Sequence, residues 1–261
     1  MVLAIYIVAG IFAGLTAGLF GVGGGIIVVP VLVFAFEAQG FSADVLTHLA
    51  IGTSLATIVF TSISSIWSHH KRGAVLWEIC RPMSLGLAVG AILGVWTVSQ
   101  LDGILLKKLF GFFVLFVAFK MMSKKGESGD RPIAAWPEFS LVGVFVAWVS
   151  SIFGIGGGTL TVPFLSRFQI EMKYVVGTAA ACGFPIALLG SISNMYIGQS
   201  VQGLPEMTIG YVYLPALLGI SMTSVLFAKL GASYAHRLPS MLLRKLFACS
   251  LFIVGVRFLF F

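Results

Sequence analysis

The sequence has few charged residues, few histidines and few cysteines, and each scarcity excludes a class of protein. Charged residues make up 10% of the 261 positions, against roughly 25% in a typical soluble domain. Hydrophobic residues reach 59%, which excludes a water-soluble globular fold. The 3 cysteines and 4 histidines show no metal-ligand spacing. The sequence therefore predicts neither a metal site nor a cofactor.

Acidic residues are absent from the centres of the hydrophobic segments. All 9 Asp and Glu residues fall in predicted loops or at segment ends. Intramembrane carboxylates are the usual mark of proton coupling, and the chain lacks a good candidate for that role. An enzyme in the membrane would need a nucleophile with a base, or a metal cluster, at membrane depth. Since neither is found, the sequence predicts that the chain is not an enzyme.

Long apolar runs take the place of charge. A helix needs roughly 20 residues to cross the hydrocarbon layer. Runs of about this length, or nearly so, lie at residues 2–20, 49–67, 83–98, 105–119, 141–153, 174–196, 209–227 and 242–261. The predicted class is an all-α polytopic membrane protein with the lipid bilayer as its partner. The net charge of +7 resides mostly in loops, where it sets topology, so nucleic acid is not implied.

The chain contains two copies of one pattern. The run GVGGGIIVVP at residues 21–30 recurs as GIGGGTLTVP at residues 154–163. A stripe of small residues precedes each run and lets helices pack closely in lipid; its members are Gly10, Gly14 and Gly18, then Gly143, Ala147 and Ser151. We divide the chain into an N-terminal repeat (1–122), a polar linker (123–137) and a C-terminal repeat (138–261), with five helical segments in each repeat.

Basic residues in short loops indicate the orientation of the repeats, because cytoplasmic loops are rich in Lys and Arg. The loop at 68–81 carries three such residues, whereas its counterpart at 198–207 has none. This difference favours inverted repeats, with the linker in the cytoplasm and both termini outside. Lys107 and Lys108 argue against this orientation, because they fall on the outer side.

The glycine run in each repeat predicts a broken membrane helix. The stretches that follow, 26–36 and 159–168, reach across about half a bilayer. Paired broken helices are typical of a transporter site, and the N–H groups at a half-helix N-terminus attract anions. The sequence leaves open whether these hairpins are re-entrant or fully spanning. The predicted substrate contacts are Gly23, Gly24, Gly25, Gly156, Gly157, Gly158 and Thr159.

Hydroxyl side chains in the following helices add to the predicted site. Thr53 and Ser54 follow a glycine in the first repeat, and Thr178 does so in the second. Hydroxyls can line the path of an oxyanion, but they also bond back to helix carbonyls or join helices. The glycine runs have a similar alternative role, in close helix packing. No catalytic residue is predicted.

Several segments together resemble the TauE/SafE family of sulfite exporters. They are the twin GxGGG runs that end in Val-Pro, IGTS at 51–54, GYVYLPA at 210–216 and LRKLF at 243–247. The resemblance covers essentially the whole chain. It implies a permease of the bacterial cytoplasmic membrane that exports sulfite or an organosulfonate such as sulfoacetate.

The leading hypothesis is a secondary exporter of a small oxyanion, with the site at the two glycine breaks. The alternatives are an ion-coupled importer of another anion and, from a different class, a membrane-embedded enzyme or assembly factor. The sequence does not name the substrate or the coupling ion. It also leaves the oligomeric state open, a homodimer included.

Overall fold

The computed structural model describes residues 2–20, 24–123, 136–234, 248–249 and 252–259. The first half contains α1 (Val2–Phe20), α2 (Gly25–Ala38), α3 (Ala43–His70), α4 (Trp77–Ser99) and α5 (Gly103–Ser123). The second half contains α6 (Trp136–Ile152), α7 (Gly158–Leu165), α8 (Met172–Gly198) and α9 (Leu214–Tyr234). Residues 252–259 are also helical. A short antiparallel ribbon of β1 (Thr208–Ile209) and β2 (Val212–Tyr213) joins α8 to α9.

The described helices are those of a membrane protein. Four of them, α3, α4, α8 and α9, are long and apolar enough to cross a membrane. Large apolar side chains also cover the outer surface, as at Leu85, Phe119 and Met222, which are each more than 70% exposed. Exposure on this scale is unfavourable in water and normal against lipid. The prediction of a helical, multi-pass membrane protein is confirmed.

Helices α1 and α2 form one hairpin and helices α6 and α7 form another; the described part of the first tip is Gly24 and Gly25, and the second tip is residues 154–158. In the α1–α2 hairpin, the Gln39 amide donates a 2.9 Å hydrogen bond to the Tyr6 hydroxyl, so the start of α1 lies beside the end of α2. In the α6–α7 hairpin, the rings of Phe139 and Phe164 are 6.1 Å apart, which joins the corresponding ends. The two hairpins therefore share one architecture.

The open ends of the two hairpins lie at opposite ends of the bundle. Helices α3 and α8 follow the hairpins directly, and they run antiparallel. Leu55 lies against Gly190, whereas Ile58 lines a cavity with Gly183 and Ala180. Residue numbers thus rise along α3 while they fall along the facing part of α8. Because each helix starts beside the open end of its own hairpin, the two open ends point in opposite directions.

The small-residue stripes pack helices from opposite halves. A Cβ added at Gly94 would lie 2.6 Å from the carbonyl oxygen of Trp148, and one at Gly143 would lie 2.7 Å from that of Met83. These contacts join α4 to α6. Gly10 and Gly14 bring α1 equally close to the backbone of Ile220 and Ser224 in α9. The predicted close packing of the stripes is confirmed at Gly10, Gly14 and Gly143, and Gly94, which lies outside the predicted stripes, packs in the same way.

The half-helices differ in length from the prediction of about ten residues each. Helix α2 has 14 residues and α7 has 8. The last turn of α2 is held by Gln39, which also donates to the Ala35 carbonyl oxygen at 2.8 Å. Helix α7 ends earlier because Ser166 closes it with a hydrogen bond from its hydroxyl to the Pro163 carbonyl oxygen.

Lys107, which argued against inverted repeats, has a specific partner. Its Nζ lies 2.6 Å from Oε1 of Glu37 and 5.7 Å from the ring centroid of Phe258. The ion pair joins the last turn of α2 to the first turns of α5. A local carboxylate therefore accounts for a cation at this end of the bundle.

Candidate functional site

The two glycine tips touch each other. A Cβ added at Gly25 would collide with the carbonyl oxygen of Gly154 and lie 2.9 Å from the Cα of Ile155. Gly24 and Gly157 directly precede α2 and α7 as their N-cap residues, and both have a φ of 75°, which favours glycine. Neither short helix receives a side-chain cap. Among the described residues, the first two N–H groups of each helix, those of Gly25 and Ile26 and those of Gly158 and Thr159, therefore have no acceptor within that helix.

The structure places most of the predicted glycine contacts in this region. Gly24, Gly25, Gly156, Gly157 and Gly158 are all buried. Gly23 lies outside the described residues. Gly24 lies against the backbone of Ala13, and the carbonyl oxygen of Gly156 lies against Gly183 in α8. The tips are therefore packed between the helices of both halves.

A small cavity adjoins the second tip. Its lining comes from three helices and the tip: Ala17 of α1, Ile58, Ser62 and Ser65 of α3, Ala180 and Gly183 of α8, and Gly156. The cavity encloses about 10 Å³, which is room for about one water molecule. An oxyanion larger than water does not fit without movement of the surrounding helices.

Ser54 reaches the second tip from the first half. Its hydroxyl donates a 2.8 Å hydrogen bond to the carbonyl oxygen of Gly154, and the side chain is fully buried. The bond fixes α3 to the start of the α6–α7 turn. Ser54 thus lies at the predicted site, but its hydroxyl proton is already donated to a carbonyl oxygen of the protein.

Thr53 and Thr178 have equivalent positions in the two halves. The Thr53 Oγ1 accepts a 2.9 Å hydrogen bond from the backbone N–H of Tyr213, just before α9. The Thr178 Oγ1 accepts one of the same length from the N–H of Leu76, just before α4. The preceding glycines, Gly52 and Gly177, each lie against a carbonyl oxygen of the same connecting segment. Gly52 with Thr53, and Gly177 with Thr178, each dock a helix of one half onto a connecting segment of the other half.

Valine in place of Thr53 or Thr178 is expected to lower the thermal stability of the folded protein. The substitution keeps the shape of the side chain but leaves a backbone N–H without its acceptor, which costs about 1–3 kcal/mol. Serine retains the oxygen and should preserve most of the stability. Thermal unfolding in nanodiscs measures the difference. Valine variants that unfold at the wild-type temperature would show that these hydroxyls are not structural acceptors.

Buried hydroxyls without a partner gather at the second hairpin. Within the described residues, Ser150 and Ser151 at the end of α6, Thr159 and Thr161 in α7, and Ser65 across the cavity have buried hydroxyl oxygens with no hydrogen-bond partner. Other hydroxyls bond within their own helix, as Ser62 does to the Val59 carbonyl oxygen at 3.0 Å. Buried polar groups without partners are rare and require an explanation.

Sequence reasoning missed most of these hydroxyls. Only Thr159 belonged to the predicted set. A signal was present, because Ser150 and Ser151 replace Ala17 and Gly18 of the first repeat near the end of the helix that precedes the glycine run. The Ser150 Oγ lies 3.8 Å from the place of a Cβ on Gly157, so this departure from the repeat falls next to the tip.

Acidic side chains keep away from the tips. All acidic residues in the described part of the chain are exposed, as the sequence predicted.

His48 is buried near one end of the bundle, with Nε2 3.1 Å from the carbonyl oxygen of Val98. Its ring stacks on Tyr211, with centroids 5.1 Å apart. Burial raises the pKa of the Tyr211 phenol, which remains neutral at physiological pH.

Known proteins and one family profile match this chain over almost its full length. The sequence profile of a family described as sulfite exporter TauE/SafE matches residues 6–258. A probable membrane transporter protein of Haemophilus influenzae is 36% identical, with 96% of this chain and 95% of that protein covered. One of Methanocaldococcus jannaschii is 31% identical, with 98% and 95% covered. Bacillus subtilis YunE, another probable membrane transporter, is 27% identical, with 100% and 98% covered. No solved structure matches the chain.

Proposed function

We propose, from the premise that this chain belongs to the sulfite exporter TauE/SafE family, that it exports a small oxyanion as a secondary transporter. The substrate class is sulfite or an organosulfonate such as sulfoacetate. The relatives named probable membrane transporters support the transport role.

The observation that carries the proposal is the set of unpartnered hydroxyls beside a half-helix N-terminus. The first N–H groups of α7 carry partial positive charge, and the Ser150 hydroxyl lies next to Gly157. Ser65 faces the same region through the cavity that Gly156 lines. Hydroxyl and N–H donors together suit an anion with several acceptor oxygens. The predicted contacts Gly24, Gly25, Gly157, Gly158 and Thr159 remain part of this proposed site.

The halves are proposed to be inverted repeats in the bacterial cytoplasmic membrane. The antiparallel run of α3 and α8 and the opposite open ends of the hairpins support this arrangement. The basic loop after α3, with Lys71 and Arg72, then lies in the cytoplasm, and the N-terminus lies outside. The hairpins are proposed to be re-entrant, because α7 spans only 8 residues and a membrane helix needs about 20.

Transport is proposed to occur by movement of one half against the other. The cavity of about 10 Å³ is too small for an oxyanion, so the tips must separate to admit one. The contacts of α1 with α9 and of α4 with α6 join the two halves, so the proposed movement requires these helices to slide along their small-residue interfaces. Export can use the membrane potential alone, which supplies about 2.3 kcal/mol per charge per 100 mV.

Purified protein in proteoliposomes tests the proposed function. Vesicles loaded with sulfite, sulfoacetate, sulfate or acetate are given a potential that is negative inside. Sulfite or sulfoacetate is expected to leave at least tenfold faster than from protein-free vesicles, without a proton or sodium gradient. A strict need for such a gradient, with inward flux, would instead support the importer. Chemical conversion of the substrate without translocation would support an enzyme.

A further inference from the structure

Three sulfur atoms meet where α4 packs against α8. The Cys182 Sγ lies 3.9 Å from the Cys80 Sγ and 3.9 Å from the Met83 Sδ. All three residues are at least 97% buried. Cys80 and Met83 are separated by three positions on α4 and therefore share a helix face. Neither the repeat pattern nor the proposed anion site uses this cluster.

We propose that Cys80, Cys182 and Met83 bind a soft monovalent metal ion, Cu(I). Thiolates and thioethers are the ligands that select Cu(I) over hard cations. Three sulfurs placed about 2.3 Å from one ion in a trigonal plane are about 4 Å apart. Cys182 has this separation from both of its neighbours. Two sides of the sulfur triangle therefore already have the length that a trigonal Cu(I) site requires.

The start of helix α4 favours the bound form. Binding requires thiolates, so Cys80 and Cys182 release both thiol protons and the site with Cu(I) carries one net negative charge. Cys80 lies in the first turn of α4, where the helix dipole offsets negative charge. Val75, Leu87 and Ile186 belong to the same hydrophobic cluster and keep water away from the sulfurs.

The site joins a helix of the first half to a helix of the second half. Cys182 directly precedes Gly183, which contacts the second tip at Gly156. A bound ion would hold α4 and α8 together at this contact. Inhibition of flux by the ion follows only if the proposed movement of the halves is right, whereas binding of the ion does not depend on it.

Titration of the purified, reduced, full-length protein with Cu(I) under anaerobic conditions tests the site. A coloured Cu(I) chelator serves as the competitor. Wild type is expected to take one ion per chain. Cys182→Ala should weaken binding more than 100-fold, because loss of a ligand exceeds the 10–100-fold effect of an outer-shell change. Met83→Leu should weaken binding about tenfold. Cys249→Ala is the matched control, because Cys249 is exposed and away from the cluster, and it should bind like wild type.

X-ray absorption on Cu(I)-loaded wild type gives a second test that needs no variant. The expected spectrum shows three sulfur neighbours at about 2.3 Å. A shell of nitrogen or oxygen, or failure of wild type to compete with the chelator, would overturn the proposal. Wild-type affinity in a folded Cys182→Ala protein would do so as well. If that variant does not fold, the spectrum of wild type decides.

Discussion

Aspartate at position 157 is expected to abolish anion flux in a protein that still folds, whereas asparagine there leaves a measurable flux. Gly157 is the first residue of the α7 turn and has a φ of 75°. Asn and Asp adopt positive φ more readily than other non-glycine residues. A Cβ at this position mainly meets the flexible end of Ile186, with Cδ1 2.5 Å away. Both variants should therefore assemble.

Charge is the difference that separates the two variants. An aspartate at the N-cap places its negative charge beside the first N–H groups of α7, where the helix dipole favours it. It thereby takes the position proposed for the substrate. It also repels an anion by about 3 kcal/mol at about 5 Å and an effective dielectric of 20, which is a factor of about 100 in binding. Asparagine is of the same size and has no such repulsion.

Stability measurements and a remote aspartate provide the controls. Gly157→Asp should unfold at or above the temperature of Gly157→Asn, because the charge suits the helix end. Gly203→Asp makes the same chemical change in a loop, at a φ of 80° with open space around it, and should transport like wild type. Wild-type flux in Gly157→Asp would show that the second tip does not lie on the anion path. Gly24 is less suitable, since a Cβ there lies 2.6 Å from the Ala13 carbonyl oxygen.

The local architecture of the fold was readable from the sequence. The prediction of an apolar segment over residues 2–20 coincides with α1. The duplicated glycine runs predicted two equivalent breaks, and the structure begins α2 and α7 at equivalent residues, after Gly24 and Gly157. Periodicity and glycine chemistry are local properties, so one sequence contains the information needed to find them.

The contacts between segments that are distant in the sequence could not be predicted in this way. The small-residue stripes predicted close packing, but not that α1 packs on α9 and α6 on α4. The roles of Thr53 and Thr178 depend on segments far along the chain, at Tyr213 and Leu76. Glu37 and Lys107 are likewise distant in sequence. The β1–β2 ribbon has only two residues in each strand, too few for an alternating pattern.

Alanine at Ser65 or Ser150 is expected to lower flux without lowering stability. These hydroxyls have no hydrogen-bond partner among the residues that the structure describes, so their removal eliminates an unsatisfied buried group. The free energy of unfolding should stay level or rise by about 1 kcal/mol. A hydrogen bond to a charged group is worth about 1.5–3 kcal/mol. Loss of one donor to the oxyanion should therefore reduce flux about 10- to 100-fold in the proteoliposome assay.

Ser62 provides the matched control for Ser65. Both residues lie on α3 and line the same cavity, but the Ser62 hydroxyl already donates to the Val59 carbonyl oxygen. Ser62→Ala should therefore keep the wild-type flux. A stable Ser65→Ala protein with full flux would show that the Ser65 hydroxyl only fills space and does not bind the substrate. Lower stability together with lower flux would indicate a structural partner, such as a buried water. Only lost flux with retained stability fits a donor whose acceptor is the substrate.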